Sequence, residues 1–214
     1  MEVAAAGWSL PAAAAGVAVI HTVLGPDHYL PFGVLARARG WSLAQTLLIT
    51  TACGLGHVFS SLALGLGLIS LGFAGTRLTE VDAGRGDLAA WGLIIFGLGY
   101  AVWGLLRARR GQGHATPKPW RGMTFWTLFL VFVLGPCEPL VPLLLVPASE
   151  GRWDIAATAA AAFTTATLLT MLGLTLAAWL GLERLRLGGL EPWAHTLAGC
   201  VVAGAGLAIR FLGL

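Results

Sequence analysis

The feature that most constrains this sequence is a series of six apolar runs, each about long enough to cross a membrane. The runs cover residues 10–36, 43–73, 88–106, 123–147, 155–181 and 193–212. A transmembrane helix needs about 20 mostly apolar residues. With 57% hydrophobic and 11% charged residues and a mean hydropathy of +0.81, the chain has too little polar surface to cover a soluble globule. We therefore expect an all-α integral membrane protein with six transmembrane helices in a single domain, residues 1–214.

Basic residues are distributed unevenly between the segments that connect these runs. Nine of the thirteen Lys and Arg residues follow the first, third and fifth runs, whereas Arg77, Arg85, Arg152 and Arg210 lie on the opposite side. Cytoplasmic loops carry an excess of Lys and Arg, so both termini are predicted to lie outside the cytoplasm. We expect a multi-pass protein of the plasma (inner) membrane with the lipid bilayer as a partner. A homo-oligomer is left open, and no nucleic-acid partner is expected.

Two short sequence echoes relate the two parts of the chain. The matching segments are 23–28 (VLGPDH) with 133–138 (VLGPCE), and 50–52 (TTA) with 164–166 (TTA). Because they occur in the same order and in corresponding runs, they predict half-repeats at residues 8–110 and 120–214. Each half has three spans, an odd number, so the two halves enter the membrane from opposite sides. The expected architecture is a 3+3 inverted repeat, which many transporters use.

A Gly-Pro pair lies at the centre of both segments of the longer echo, 23–28 and 133–138. Proline has no N–H and its ring clashes with the preceding helical turn, so Gly25-Pro26 and Gly135-Pro136 predict breaks in helices 1 and 4. Backbone polar groups released by a break inside a membrane must face protein, water or an ion. Broken helices at corresponding positions of two halves therefore point to a transport site.

Groups that can bind metals are concentrated around these predicted breaks. Among the acidic residues, only Asp27 and Glu138 lie deep within an apolar run, where a charge costs about 2.5 kcal/mol or more unless it is paired, hydrated or liganded. The candidate ligands are His21, Asp27, His28, His57, Cys137 and Glu138. Imidazole, thiolate and carboxylate together favour a divalent transition metal such as Ni, Co, Zn or Cu. Met171 and His195 are secondary candidates, since packing and an interfacial position are their simpler roles.

These residues also carry a family resemblance. His21 followed by Asp27-His28 resembles the His/Asp-His motif of the nickel/cobalt transporter (NiCoT/NicO) group, although five residues separate His21 from Asp27 where the family motif has four. Gly56-His57 resembles the glycine-histidine motif of the next helix in that group. The segment 135–137 resembles the Pro-Cys helix of the DsbD/CcdA thiol-disulfide electron carriers, with Asp27 where their first-half cysteine would be. Both groups are placed in the LysE superfamily, together with UreH-like membrane proteins.

The resemblance implies a transporter of Ni- or Co-type cations that alternates access around a site in the middle of the membrane. The metal would be its substrate, and no organic cofactor is expected. Two alternatives stay open: a thiol-disulfide electron carrier that pairs Cys137 with Cys53, and a membrane accessory protein for metalloenzyme assembly. The sequence contains no nucleotide-binding loop or catalytic motif, so an enzyme is not expected.

Overall fold

The protein is helical throughout the part of the chain that this computed structural model describes, which is residues 2–70, 75–110, 118–135, 137, 139–184 and 188–212. Helix α1, Glu2–Leu24, ends at a Gly-Pro pair and continues through a 3₁₀ turn, Pro26–His28, into α2, Leu30–Arg39. The next helices are α3 (Leu43–Ser70), α4 (Gly75–Arg109), α5 (Lys118–Leu134), α6 (Leu140–Ser149) and α7 (Trp153–Arg184). A second 3₁₀ turn, Gly188–Trp193, leads into α8, Ala194–Leu212.

Four helical segments are long and apolar enough to cross a membrane alone. They are Leu43–Gly67, Ala83–Arg109, Trp153–Arg184 and Leu190–Leu212. The predicted first span is a pair of helices, α1 and α2, bent by 85° at the break, and the pair counts as a span only if both helices are taken together. The predicted fourth span holds the shorter apolar segments Thr124–Leu134 and Leu140–Ser149. The described part of the chain thus resembles a multi-pass helical membrane protein with four or five candidate spans. The sequence predicted six, and the two predicted spans that are not single long helices are the ones that contain a Gly-Pro pair.

The surface of the helices is rich in large apolar side chains, and several polar side chains are buried among the apolar core residues. Leu48 and Phe59 of α3 are 71% and 73% exposed, and Ile95 of α4 is 69% exposed. The buried polar set comprises Thr22, His28, Arg39, Thr46, Thr50, His57, Ser61, Thr124, Thr167, Thr175 and His195. An apolar exterior, with the polar side chains of the helices turned inward, is the distribution that lipid surroundings favour.

The most extensive helix contacts are α4 with α8 and α1 with α7. In the first pair, glycines bring the two backbones together in antiparallel order. A Cβ added to Gly104 would lie 2.6 Å from the backbone nitrogen of Thr196, and one added to Gly206 would lie 2.8 Å from the carbonyl oxygen of Ala90. Small residues that allow such close approach are the usual basis of helix packing in membranes. Helices α4 and α8 therefore form a tightly packed unit along one side of the molecule.

Candidate metal site

The bend between α1 and α2 brings together two histidines that a straight helix would hold about two turns apart. His21 lies in the last turn of α1 and His28 in the 3₁₀ turn beyond it, with their ring centroids 5.0 Å apart. His57, from the middle of α3, places its ring centroid 5.4 Å from that of His28. Three imidazoles from two separate parts of the chain thus form one cluster.

His28 is oriented by groups at the helix break. Its Nδ1 lies 3.1 Å from the carbonyl oxygen of Gly25 and 3.2 Å from the Oδ1 atom of Asp27. Both neighbours are oxygen acceptors, so the proton belongs on Nδ1 and the lone pair of the neutral ring on Nε2. That Nε2 atom is buried and has no hydrogen-bond partner among the described residues. His28 therefore presents an unused ligand atom.

His57 has the same arrangement in the other half of the site. Its Nδ1 donates to the carbonyl oxygen of Phe132 at 3.1 Å, near the end of α5. In a continuous helix that carbonyl would accept from the residue four positions later, which is Pro136, and proline has no N–H. The imidazole of His57 and the backbone N–H of Gly135 both donate to the Phe132 carbonyl instead. The Nε2 atom of His57 is left buried and, within the described chain, unpartnered.

Cys137 completes a three-residue cluster with the histidines of α1 and α3. One ligand atom from each of His21, His57 and Cys137 lies within 4.8 Å of the other two. Bond lengths of about 2.0–2.3 Å around a tetrahedral ion place N and S ligands about 3.3–3.6 Å apart, so modest side-chain rotations would bring the three to coordination distance. Cys137 is fully buried, and the Nε2 atom of His21 is also buried without a partner in the described residues.

A cavity of about 330 Å³ leads to this cluster from the surface. Four of the predicted ligands, His21, Asp27, His28 and His57, line it, together with residues from the first part of α4 and the end of α8. Its rim includes Asp87 and Arg210, whose side chains are exposed and form an ion pair. The histidines are therefore reached from one end of the α4 and α8 pair.

The glycines of the two Gly-Pro pairs make room for the imidazoles. A Cβ on Gly25 would lie 2.5 Å from Nδ1 of His28, and one on Gly135 would lie 3.2 Å from Nδ1 of His57. Pro26 begins the 3₁₀ turn that carries Asp27 and His28. The remaining predicted members, Pro136 and Glu138, lie outside the described residues.

The two secondary candidates lie away from the cavity lining. Met171 is fully buried in α7, and its Sδ lies 3.1 Å from where a Cβ on Gly54 of α3 would stand. His195, at the start of α8, has its Nδ1 2.8 Å from the hydroxyl of Tyr100, which also accepts from Nε of Arg39 at 3.2 Å. With Arg39 donating to its oxygen, the Tyr100 hydroxyl can donate its own proton to Nδ1 of His195. This buried network lies toward the opposite end of α4 from Asp87.

Arg85 is a site-supporting residue that the sequence reasoning missed. Its Nη2 donates to the carbonyl oxygens of Val133, at 2.8 Å, and Gly135, at 3.3 Å, and to the hydroxyl of Ser60 at 2.9 Å. Carbonyls at a helix C-terminus lack intrahelical partners and attract cations. The predicted third span begins at residue 88, which assigned Arg85 to a loop, whereas α4 begins at Gly75. A predicted helix end near Gly135 is the signal that could have suggested a nearby basic partner.

The arrangement as a whole offers imidazoles and a carboxylate that line an accessible cavity, and the buried thiol of Cys137 lies within 4.8 Å of ligand atoms of His21 and His57. Such a set can bind a borderline or soft divalent cation. Comparison with protein-family models, curated proteins and solved structures finds no match to this chain. The chemistry of the site therefore rests on its own residues and geometry.

Proposed function

We propose that this protein is a membrane transporter for a divalent first-row transition metal, with Ni²⁺ or Co²⁺ as the preferred substrate. One observation carries the proposal: the Nε2 atoms of His21, His28 and His57 are all buried, and none has a hydrogen-bond partner in the described chain. These residues line one cavity. The metal would be bound there as cargo, and no organic cofactor is required.

Unpartnered buried nitrogens are costly, which is why a ligand is the best explanation for three of them together. A buried polar group without a hydrogen bond costs about 1–3 kcal/mol, and most such groups in proteins are satisfied. In addition, Nδ1 of His28 and Nδ1 of His57 are each fixed by a backbone carbonyl. Metal-binding histidines are usually oriented in this way, with the second ring nitrogen hydrogen-bonded to a carbonyl or carboxylate.

The donor types favour a transition metal over Mg²⁺ or Ca²⁺. His21, His57 and Cys137 supply two imidazoles and a thiol within 4.8 Å of one another, and His28 with Asp27 adjoins them. Magnesium and calcium prefer oxygen ligands, whereas Ni²⁺, Co²⁺, Zn²⁺ and Cu²⁺ accept imidazole. Glu138 remains a candidate ligand on sequence grounds alone.

Transport in this proposal uses a 3+3 inverted repeat, in which the bent α1–α2 pair and the α5–α6 pair are the broken first helices of the two halves. The cavity gives access to the site from the end of the molecule where α4 begins and α8 ends. Beside the site, the rings of Phe32 and Phe132 pack with their centroids 4.8 Å apart, and Phe132 also lines the cavity. Movement of the halves against each other would close this access and open one on the opposite side. Under the positive-inside orientation, the open side faces away from the cytoplasm.

Calorimetry with purified protein in detergent tests the binding step. Titration of Ni²⁺ and Co²⁺ into wild type should show saturable binding, and His57→Ala should weaken it by about 10-fold or more, because the remaining groups then form an incomplete site. His114→Ala is the matched control, since His114 lies between Gly113 and Ala115 in the basic segment after α4. Equal binding by wild type and His57→Ala would contradict the proposal.

Flux is tested separately in reconstituted vesicles that contain a metal-sensitive dye. Wild type should move Ni²⁺ or Co²⁺ across the bilayer, and His57→Ala should not. Binding without flux would favour the accessory-protein alternative. Neither binding nor flux, together with trapped mixed disulfides, would favour electron transfer.

A further inference from the structure

We propose that Asp87 is a capture site for hydrated divalent cations at the mouth of the cavity, with Arg210 occupying it when no cation is present. This inference rests on the proposed transport function and adds a step to it. A cation would bind first to the Asp87 carboxylate in exchange for the guanidinium, and then pass inward to the histidines.

The first support is that the ion pair and the histidine cluster share one cavity. Oδ1 of Asp87 lies 3.5 Å from Nε of Arg210, and the two side chains are 59% and 39% exposed. Both residues line the same cavity as His28 and His57, each of which is only 3% exposed. Because Nε2 of each histidine is buried without a partner in the described residues, the cavity joins an accessible carboxylate to unused nitrogen ligands.

The second support is that the mouth is held in place by the packing of α4 against α8. Gly206 of α8 lies close to Ala90 of α4, because a Cβ added to Gly206 would lie 2.8 Å from the carbonyl oxygen of Ala90. Asp87 lies three residues before Ala90, and Arg210 lies four residues after Gly206, so both are about one turn beyond this contact. A side-chain pair anchored this close to a rigid interface keeps the carboxylate at the rim of the cavity.

Charge explains why the pair would respond to a cation. An unpaired guanidinium at the rim would repel divalent cations, and pairing with Asp87 offsets its charge. An exposed ion pair is weak, so a divalent cation can replace Arg210 at the carboxylate. A second basic residue of α4 that lies near the site, Arg85, donates to Ser60 and to the carbonyls of Val133 and Gly135. Asp87 is the acidic residue of α4 in the described lining of the cavity.

Stopped-flow absorbance with Co²⁺ tests the capture step, because the visible spectrum of cobalt changes when it reaches the nitrogen and sulfur ligands. Purified full-length protein in detergent is mixed with Co²⁺ at low ionic strength. Asp87→Asn should slow association about 10-fold, the lower end of the range for electrostatic steering, and Arg210→Gln should accelerate it. Both effects should shrink at high salt. The final Co²⁺ spectrum of Asp87→Asn should match wild type, because the buried ligands are unchanged.

Asp154→Asn is the matched control, because Asp154 is an exposed acidic residue in the first turn of α7 and does not line the cavity. Association by Asp87→Asn at the wild-type rate, or equal slowing in Asp154→Asn, would overturn the capture site alone. Loss of the final cobalt spectrum in Asp87→Asn would also overturn it, since Asp87 would then belong to the buried site or to the fold. Absence of any cobalt spectrum with wild type would remove the proposed function and this inference together.

Discussion

The ring of His57 donates through Nδ1 to the carbonyl oxygen of Phe132 across 3.1 Å, which joins the middle of α3 to the end of α5. The same bond does two things: it gives a donor to a carbonyl near a helix break, and it leaves the lone pair of the imidazole on Nε2. His28 repeats the pattern with the carbonyl of Gly25. Helix breaks and histidine tautomers are therefore coupled in this site, and a change to either should affect metal binding.

Gly25→Ala should disrupt the site through a steric effect. The added Cβ would lie 2.5 Å from Nδ1 of His28 and 3.0 Å from Oδ1 of Asp27, so the imidazole must move away from its position at the cavity. We expect a loss of affinity for Co²⁺ of about 10-fold or more, comparable to loss of an orienting contact, measured by calorimetry. Gly16→Ala in the same helix is the control, because no atom lies within 4 Å of its added Cβ. Equal affinities in the two variants would show that His28 is not needed for binding.

Arg85→Gln should weaken the end of α5. The guanidinium donates to the carbonyls of Val133 and Gly135. The Val133 carbonyl keeps the Ser60 hydroxyl as a donor, so the main cost falls on the Gly135 carbonyl, about 1–3 kcal/mol when water cannot replace the lost donor. We expect a lower melting temperature in detergent, which is measured as the temperature at which the monodisperse size-exclusion peak is lost on heating. Arg152→Gln is the comparison, since Arg152 forms an exposed ion pair with Glu150. An unchanged melting temperature in Arg85→Gln would mean that these bonds add little to stability.

Gly97→Ala should separate α4 from α8, whereas Gly99→Ala two residues away should not. A Cβ on Gly97 would overlap the backbone nitrogen of Ala203, but a Cβ on Gly99 would have no atom within 4 Å. Overpacking of a tight interface costs about 1–3 kcal/mol or more, so the first variant should melt at a lower temperature by the same heating assay. If both variants had the melting temperature of wild type, the close packing of α4 against α8 would be contradicted.

The sequence could indicate where helices end but not how the chain turns there. Gly25-Pro26 and Gly135-Pro136 marked the positions just after α1 and α5 end, at Leu24 and Leu134, because a missing N–H acts locally. The 85° bend after α1 depends on what the two helices pack against. Because of the bend, α1 and α2 can cross a membrane only as a pair. The bend also brings the ring centroids of His21 and His28 to 5.0 Å.

Contacts between distant helices were also beyond the reach of the sequence. Nothing local links Tyr100 to Arg39 or His195, yet the three form one buried hydrogen-bonded network. Met171 was a secondary ligand candidate in the sequence, but its sulfur lies against Gly54, in the same hydrophobic cluster as Cys53. Side-chain chemistry near a local break could be predicted, but pairings between helices require the packed structure.

The remaining question is whether Cys137 binds metal or exchanges disulfides, and Cys53 provides the comparison. In the described residues no disulfide links Cys53, Cys137 or Cys200, and both Cys53 and Cys137 are fully buried. They belong to different hydrophobic clusters: Cys53 packs in the cluster that includes Phe32 and Leu128, and Cys137 packs in the one that includes Ala14 and Val58. Only Cys137 lies with His21 and His57. This separation favours different roles for the two thiols.

If Cys137 is a metal ligand, Cys137→Ser should change the order of affinities among Co²⁺, Ni²⁺ and Zn²⁺, because a hydroxyl is a poorer ligand than a thiolate for borderline and soft ions. Cys53→Ser should leave that order unchanged, since the Cys53 thiol lies outside the ligand cluster. An electron carrier would behave differently: each substitution alone would abolish activity, because a single thiol cannot resolve a mixed disulfide. Competition calorimetry measures the affinities, and acid trapping of thiols measures mixed disulfides in the same variants. A mixed disulfide with a thioredoxin-like partner that accumulates in Cys53→Ser, without metal binding by wild type, would replace the transport proposal with electron transfer.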